Sequence, residues 1–219
     1  MKYYKYSMNM KKLNIYSILI FILVYILILF LNIIEYIDFT CLILYFFWMF
    51  FHEFLHGVGF SFSDGVNHRN IVYGACLEKG IFYCMCKQRI SKKNIMISLM
   101  FPFFFIGIFT FFIGSVFNIP LLVLLSLFNI AGCVGDLAMF FSFIKLPNFS
   151  YVDLDDCTGF VLISDYDLSC YKLFAMDFIE SGDYDSSMVA NDYRKFNVSK
   201  LSFVIFILLF FLFVLSLCF

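Results

Sequence analysis

The chain has 219 residues, of which 63% are hydrophobic and 34 are phenylalanine, and its mean hydropathy is +0.93. This composition excludes an ordinary soluble globular domain and predicts an integral membrane protein with the lipid bilayer as its surroundings. A net charge of −1 argues against a nucleic-acid partner, because a phosphate binder needs a concentrated positive surface. The eight cysteines are scattered, which is not the pattern of a secreted disulfide framework.

The chain begins with a basic segment that leads into a long apolar run. Four lysines lie among the first twelve residues, and residues 13–34 follow with no charge. Such a run is long enough to cross a bilayer. Because no small-residue cleavage site follows it, the run predicts a retained first helix rather than a signal peptide.

A second apolar run covers residues 39–60 and contains the sequence His52-Glu53-Phe54-Leu55-His56. Positions i and i+4 share one face of a helix, so His52 and His56 present two imidazoles one turn apart, a separation that suits one tetrahedral Zn²⁺. Glu53 lies beside them and is placed to act as the general base towards a water molecule on the metal.

The location of this motif strengthens the metal interpretation. Each ionisable side chain at the centre of a membrane helix costs about 2.5–3.5 kcal/mol, and three occur here within five residues. Metal coordination offsets that cost because it uses imidazole lone pairs that hydrocarbon would leave unpaired. The alternative interpretation is a packed polar cluster without metal.

Residues 61–93 are polar and punctuated by glycine. Two short β-prone segments, residues 71–73 and 81–86, flank Leu77-Glu78-Lys79-Gly80 and predict a β-hairpin. Six of the fifteen basic residues lie in this loop, which indicates a cytoplasmic location. Cys84 and Cys86 would share one face of a strand, but their spacing is shorter than that of a zinc knuckle.

Two further spans are predicted at residues 94–117 and 121–144, joined by a short turn. The fourth span carries Asp136, together with Asn129 and the small residues Ala131 and Gly135. Ala131 and Gly135 form a small-xxx-small pair, which predicts close packing of another helix beside Asp136.

Asp136 is the candidate for a third metal ligand. The second and fourth spans both run from outside to inside, and at 1.5 Å per residue His52, His56 and Asp136 lie at about the same depth. Two histidines and one carboxylate leave the fourth position of a tetrahedral site for water, as in catalytic zinc sites. The alternative is that Asp136 simply pairs with a polar neighbour such as Asn129.

The rest of the chain changes character twice. Residues 146–200 hold ten Asp or Glu against four Lys or Arg and predict a solvated segment of loops and short helices. Residues 201–217 form a last apolar run, a fifth span or a shorter anchor. Placing the basic loops inside puts the N-terminus, the hairpin loop and the acidic segment in the cytoplasm, with the protein in the cell membrane.

The predicted fold class is therefore an all-α integral membrane protein. It would have about five transmembrane helices and a small cytoplasmic β-hairpin loop between the second and the third. Residues 1–145 would form the membrane-embedded core, residues 146–200 an acidic cytoplasmic segment, and residues 201–219 a C-terminal span.

Four short motifs carry a resemblance to a known family. They are His52-Glu53-x-x-His56, Phe101-Pro102, Asn129 with Gly135-Asp136, and Asp156-x-Thr158-Gly159-Phe160. With these motifs, residues 39–160 resemble the membrane-embedded zincin peptidases, a family related in plan to site-2 proteases. In site-2 proteases the later motif pairs an Asn with an Asp about eight residues on, after a Pro. Here the interval is seven residues, and Gly132 stands where the Pro would be.

The residues and the resemblance together predict an intramembrane zinc endopeptidase. It would hydrolyse a peptide bond of a membrane protein or peptide near the cytoplasmic face. His52, His56 and Asp136 would hold Zn²⁺, Glu53 would be the catalytic base, Asn129 would support the site, and the hairpin would receive an extended substrate by strand addition.

An alternative is a catalytically inactive scaffold, or a metal or proton carrier that uses the same buried ligands. A carrier needs ionisable residues at several depths, whereas here they cluster at one level apart from the span ends.

Overall fold

The computed structural model describes residues 1–62, 66–76, 81–154 and 158–184. Its long helices are α1 (Met10–Phe30), α2 (Phe39–Ser61) and a third that starts as α3 (Lys92–Pro102), widens into a π-helix (Phe103–Phe109) and ends as α4 (Thr110–Val116). These three are long and apolar enough to cross a membrane, and they coincide with the first three predicted runs. The apolar run 201–217 lies outside the described residues.

The fourth predicted run, 121–144, is not one continuous helix. It divides into α5 (Pro120–Gly132) and α6 (Val134–Ile144), which meet at Cys133 with a bend of 50°. Glycine weakens a helix, and Gly132 lies directly before the break. Counted as one bent span, the pair brings the number of candidate spans among the described residues to four.

The helices begin where the sequence supplies capping groups. The side chains of Asn9, Asp38 and Ser91 accept hydrogen bonds from the backbone N–H groups of the first turns of α1, α2 and α3. Pro120 occupies the first turn of α5, where its missing N–H costs no helical hydrogen bond.

The prediction of an all-α protein is wrong, because the chain also contains a five-stranded antiparallel sheet with strand order β4-β5-β6-β1-β7. Its strands are β1 (Lys2–Met8), β4 (Ile90–Ser91), β5 (Ser150–Asp153), β6 (Gly159–Ser164) and β7 (Met176–Asp183). Three of them lie in the segment predicted to hold loops and short helices. The class is therefore mixed α/β.

The N-terminal strand is an inner strand of this sheet. β1 pairs with β6 on one side and with β7 on the other. Tyr4 and Tyr6 are each 1% exposed, because alternate residues of a strand point to the same face. That face packs on Phe60, Phe143 and other residues at the ends of α2, α3 and α6. The N-terminus and the strands β5, β6 and β7 therefore lie at the same end of the helices.

The predicted hairpin is present as β2 (Ile71–Cys76) and β3 (Ile81–Cys86). It does not stand apart from the helices. Instead it lies along α2: a side chain at Gly57 would collide with the Tyr73 hydroxyl, and the Phe82 ring lies 4.8 Å from that of Phe50. The aromatic side chains of β2 and β3 make this position favourable, because they bury apolar surface against α2.

Candidate metal centre

Three side chains with metal-binding atoms converge between α2 and α6. The Nε2 atoms of His52 and His56 are 3.2 Å apart. Asp136, in the first turn of α6, places Oδ2 3.2 Å from His52 Nε2 and Oδ1 3.4 Å from His56 Nε2. One potential ligand atom from each of the three residues lies within 4.8 Å of those of the other two.

These separations are those of ligands around one zinc ion. Zinc–nitrogen and zinc–oxygen bonds of about 2.0–2.2 Å at a tetrahedral angle place neighbouring ligand atoms about 3.3 Å apart. The distances between His52, His56 and Asp136 are 3.2, 3.2 and 3.4 Å. The two distances to Asp136 are to different carboxylate oxygens, and the group has the chemistry and the spacing of a zinc site.

The ring orientation of His52 is set by Asn129 on α5. His52 Nδ1 lies 2.9 Å from Asn129 Oδ1, and Asn129 Nδ2 donates to the carbonyl of Pro102 at 3.2 Å. Since the amide nitrogen is the donor, its oxygen must accept, so His52 donates from Nδ1. The lone pair of neutral His52 is then on Nε2, facing the other two groups.

His56 is oriented in the same way by the backbone of α3. Its Nδ1 lies 2.9 Å from the carbonyl oxygen of Ser98, which can only accept. The Ser98 hydroxyl donates back to the carbonyl of His56 at 2.8 Å. This reciprocal contact needs close helices, and Gly59 permits it: a Cβ there would lie 2.5 Å from the Ser98 Cα.

When both imidazoles are neutral, the Nε2 atoms and the carboxylate form a cluster of acceptors without a donor. Two imidazole lone pairs and one carboxylate point at a common centre, while both Nδ1–H groups are engaged elsewhere. The side chains are only 9–17% exposed, so water cannot fully solvate them. A single proton could bridge only one of the three pairs, whereas a cation satisfies all of them.

Glu53 lines the same cavity, next to the ligands but not among them. Its half-buried carboxylate accepts a hydrogen bond from the backbone N–H of Cys84 on β3. The cavity has a volume of about 400 Å³ and is bounded by α2, by β3, by the α5–α6 bend and by residues of the sheet such as Tyr151 and Asp153. Glu53 thus joins the candidate metal centre to the hairpin.

Asp153, on β5, provides a second link between the hairpin and the site. Its Oδ2 accepts the backbone N–H of Cys86 at 2.9 Å, and its Oδ1 accepts the Tyr151 hydroxyl at 2.6 Å. Removal from water raises the pKa of the Asp153 carboxyl to about 6, and these two hydrogen bonds oppose that rise only in part. The carboxylates of Glu53 and Asp153 therefore accept hydrogen bonds from two backbone N–H groups on the same edge of β3.

The site residues predicted from the sequence occupy different positions in the structure. His52, His56 and Asp136 come together, with Glu53 beside them. Asn129 hydrogen-bonds His52, Pro102 and Cys133, so the alternative in which it pairs with Asp136 is wrong.

The expected helix contact at Gly135 is also wrong. Apart from its own helix backbone and its chain neighbours, no atom lies within 4 Å of the position that its Cβ would occupy, and Gly135 lines the cavity. Gly135 leaves room beside Asp136 instead of admitting another helix.

Three contributors were not found by reading the sequence: the carbonyl of Ser98, the N–H of Cys84 and the carboxylate of Asp153. Two of these are backbone groups, which every residue carries, so the sequence holds no signal for them. Asp153 is one of ten acidic residues in its segment, and only its pairing partners in the sheet bring it to the cavity.

Comparison with known proteins finds a similarity over this region. Residues 45–151, just under half of the chain, match the family described as "Putative zincin peptidase". The match includes all of the converging residues, and its class is that of zinc metallopeptidases. No curated protein and no solved structure matches the chain.

Proposed function

We propose that this protein is a zinc-dependent endopeptidase that cleaves a membrane protein or peptide within or beside the bilayer, near the cytoplasmic face. The observation that carries the proposal is the convergence of His52, His56 and Asp136 at 3.2–3.4 Å with both Nδ1 atoms engaged elsewhere. The family match over residues 45–151 supports zinc as the metal.

His52, His56 and Asp136 would hold the ion, which leaves one tetrahedral position for water or substrate. The chemistry that zinc supplies in such sites is acidification of a water molecule and polarisation of a carbonyl group. The metal would also neutralise the carboxylate of Asp136 in a poorly solvated place.

Glu53 would act as general base and then as general acid. It would take a proton from the attacking water and deliver it to the nitrogen of the leaving amine, so that the amine departs neutral. Before substrate binds, the Glu53 carboxylate accepts a hydrogen bond from the N–H of Cys84, and its release from that bond would leave it available to the water molecule. This role requires a group beside the ligands and inside the same cavity, and Glu53 satisfies both conditions.

The size of the cavity indicates how a substrate would bind. A volume of about 400 Å³ is roughly that of a single turn of a helix 10 Å across, so an intact transmembrane helix does not fit. The substrate would have to unwind locally and enter as an extended segment. That segment would pair with the hairpin by strand addition. It would lie along the edge of β3 that is not paired with β2. There its backbone would replace Glu53 and Asp153 as the hydrogen-bond partners of the Cys84 and Cys86 N–H groups.

The side of the membrane is proposed from charge and from the fold. Basic residues concentrate before α1 and between α2 and α3, which favours the cytoplasm for these segments. The sheet gathers β1, β4, β5, β6 and β7 at one end of the helices, so a single orientation places all of them on that side. The plasma membrane is the expected location.

The proposal is tested by comparing three proteins in membranes of one expression host: wild type, Glu53→Gln and the control Glu35→Gln. Glu35 is an exposed carboxylate in the turn before α2. Profiling of protein N-termini should find new termini in membrane proteins with wild type and Glu35→Gln but not with Glu53→Gln. Identical profiles in all three proteins, with zinc bound, would point to an inactive scaffold or a carrier. Measurement of zinc uptake into proteoliposomes would then separate these two, because only a carrier transports the ion.

A further inference from the structure

Both histidines take their second contacts from one short stretch of α3. His56 Nδ1 bonds the carbonyl of Ser98, and His52 reaches the carbonyl of Pro102 through the side chain of Asn129. These two carbonyls belong to residues four apart, that is, one helical turn. In a regular helix, the N–H of residue 102 would occupy the carbonyl of residue 98.

Pro102 prevents that helical hydrogen bond. Pro102 has no N–H, so the Ser98 carbonyl has no donor at the position where an α-helix would supply one. Its oxygen is therefore open towards α2, where the imidazole of His56 meets it at 2.9 Å. A proline inside a helix usually destabilises it, and here the carbonyl that it releases is used by a side chain of the metal centre.

The contact between Asn129 and the Pro102 carbonyl depends on the backbone conformation that follows Pro102. Directly after Pro102 the helix widens into the π-helix Phe103–Phe109, a form that often marks functional sites. Within it, Gly107 lets α5 approach: a Cβ there would lie 3.0 Å from Ile130 and 3.5 Å from Asn129 Nδ2. Asn129 can therefore reach the Pro102 carbonyl with one end of its amide and His52 with the other.

We propose that Pro102 is the positioning residue for both histidine ligands. It leaves the Ser98 carbonyl free to hold His56, and it presents its own carbonyl to Asn129, which holds His52. The inference deepens the proposed function and rests on His52 and His56 being metal ligands. Pro102 touches neither the metal-binding atoms nor a substrate, and it acts only through the orientation of the two rings.

The test is Pro102→Ala, which restores an N–H that competes with His56 for the Ser98 carbonyl. Loss of an outer contact to a metal-binding histidine typically weakens metal binding 10- to 100-fold. Competition with a chelator should therefore show a zinc dissociation constant raised roughly 10-fold or more. Pro120→Ala is the matched control, because Pro120 lies in the first turn of α5, and it should leave zinc binding unchanged.

Replacement of zinc by Co²⁺ adds a readout that general destabilisation does not alter. The visible absorption of Co²⁺ depends on the geometry of its ligands, so Pro102→Ala should change that spectrum at saturating metal, whereas Pro120→Ala should not. Ser98→Ala separates the two groups of Ser98, since it removes the hydroxyl and keeps the carbonyl. It should preserve the wild-type spectrum.

A wild-type zinc affinity and Co²⁺ spectrum in Pro102→Ala would overturn the inference. If that variant does not fold, Asn129→Leu tests the part of the proposal that concerns His52. It removes the amide that links His52 to the Pro102 carbonyl. A roughly 10-fold loss of zinc affinity in Asn129→Leu supports the relay, and an unchanged affinity rejects it. Failure of wild type itself to bind zinc would instead reject the proposed function.

Discussion

The carboxylate of Asp136 lies 3.2 Å from Nε2 of His52, and its second oxygen lies 3.4 Å from Nε2 of His56. This relationship depends on the bend at Cys133, which separates α5 from α6 and places Asp136 in the first turn of a new helix. The carboxylate and both imidazoles thus meet at one point between helices that are otherwise apolar.

Asp136→Asn is expected to lose zinc and activity together. An amide oxygen is neutral and a weaker ligand than a carboxylate, so the two histidines would have to hold the ion almost alone. Elemental analysis of purified protein should find about one zinc per wild-type chain and well under half of that in the variant. Asp165→Asn, which alters an exposed carboxylate, is the control. Full zinc and activity in Asp136→Asn would exclude Asp136 as a ligand.

Glu53→Gln is expected to keep zinc and lose turnover. Glutamine retains an acceptor for the Cys84 N–H but cannot take up a proton at neutral pH. The rate of substrate cleavage should fall by about 10²–10⁴-fold, the usual contribution of a general base. Zinc content and cleavage are measured on the same preparation. A variant that loses its zinc would show that Glu53 supports the metal instead of moving protons.

The contribution of Asp153 to stability should fall as the pH rises from about 4 to about 6. Its pKa in the folded state is about 6, above the value of about 3.9 for an unfolded chain, so the folded state binds this proton more tightly. The stabilising contribution is complete below pH 4 and disappears as the pH rises through 6. A shift of this size corresponds to up to about 3 kcal/mol.

Thermal unfolding in detergent at pH 4.5 and pH 7.5 measures this effect. Asp153→Asn should remove that part of the pH dependence and should be at least as stable as wild type at pH 7.5, since the amide oxygen can still accept from the Cys86 N–H and the amide nitrogen can donate to the Tyr151 oxygen. Asp183→Asn, an exposed position on β7, should behave as wild type. Equal pH dependence in Asp153→Asn and wild type would contradict the assignment.

Gly57→Ala is expected to displace the hairpin from α2. A Cβ at this position would overlap the hydroxyl end of Tyr73, and overpacking of this kind costs about 1–3 kcal/mol. In a Tyr73→Ala background the same substitution should cost much less, because the colliding ring is absent. A double-mutant cycle of unfolding free energies measures the coupling. Additive effects would show that the two residues do not meet.

The N-terminus and the segment between α2 and α3 are expected to face the cytoplasm. Ten of the fifteen basic residues lie in them. Single cysteines introduced at Lys93 and at Glu35 should report opposite sides, after the exposed thiol of Cys170 has been replaced by serine. In intact cells an impermeant reagent should label the cysteine at position 35 and not the one at 93. The reverse pattern would place the sheet outside.

The amino-acid sequence by itself determined the features that repeat over short distances. Apolar runs define the helices, and the i, i+4 spacing of His52 and His56 places both imidazoles on one face of α2. The hairpin follows from two β-prone segments around a turn. These signals are readable because each depends on neighbours within a few residues.

Only the tertiary structure decided the features that join distant parts of the chain. β1 holds just a few alternating tyrosines, and it becomes an inner strand because Tyr6 meets residues of β6 and β7 far along the chain. The partners of the histidines, Asn129 and the Ser98 carbonyl, likewise come from other helices. Non-local pairing and backbone acceptors leave no local pattern, because they arise only when separate elements pack together.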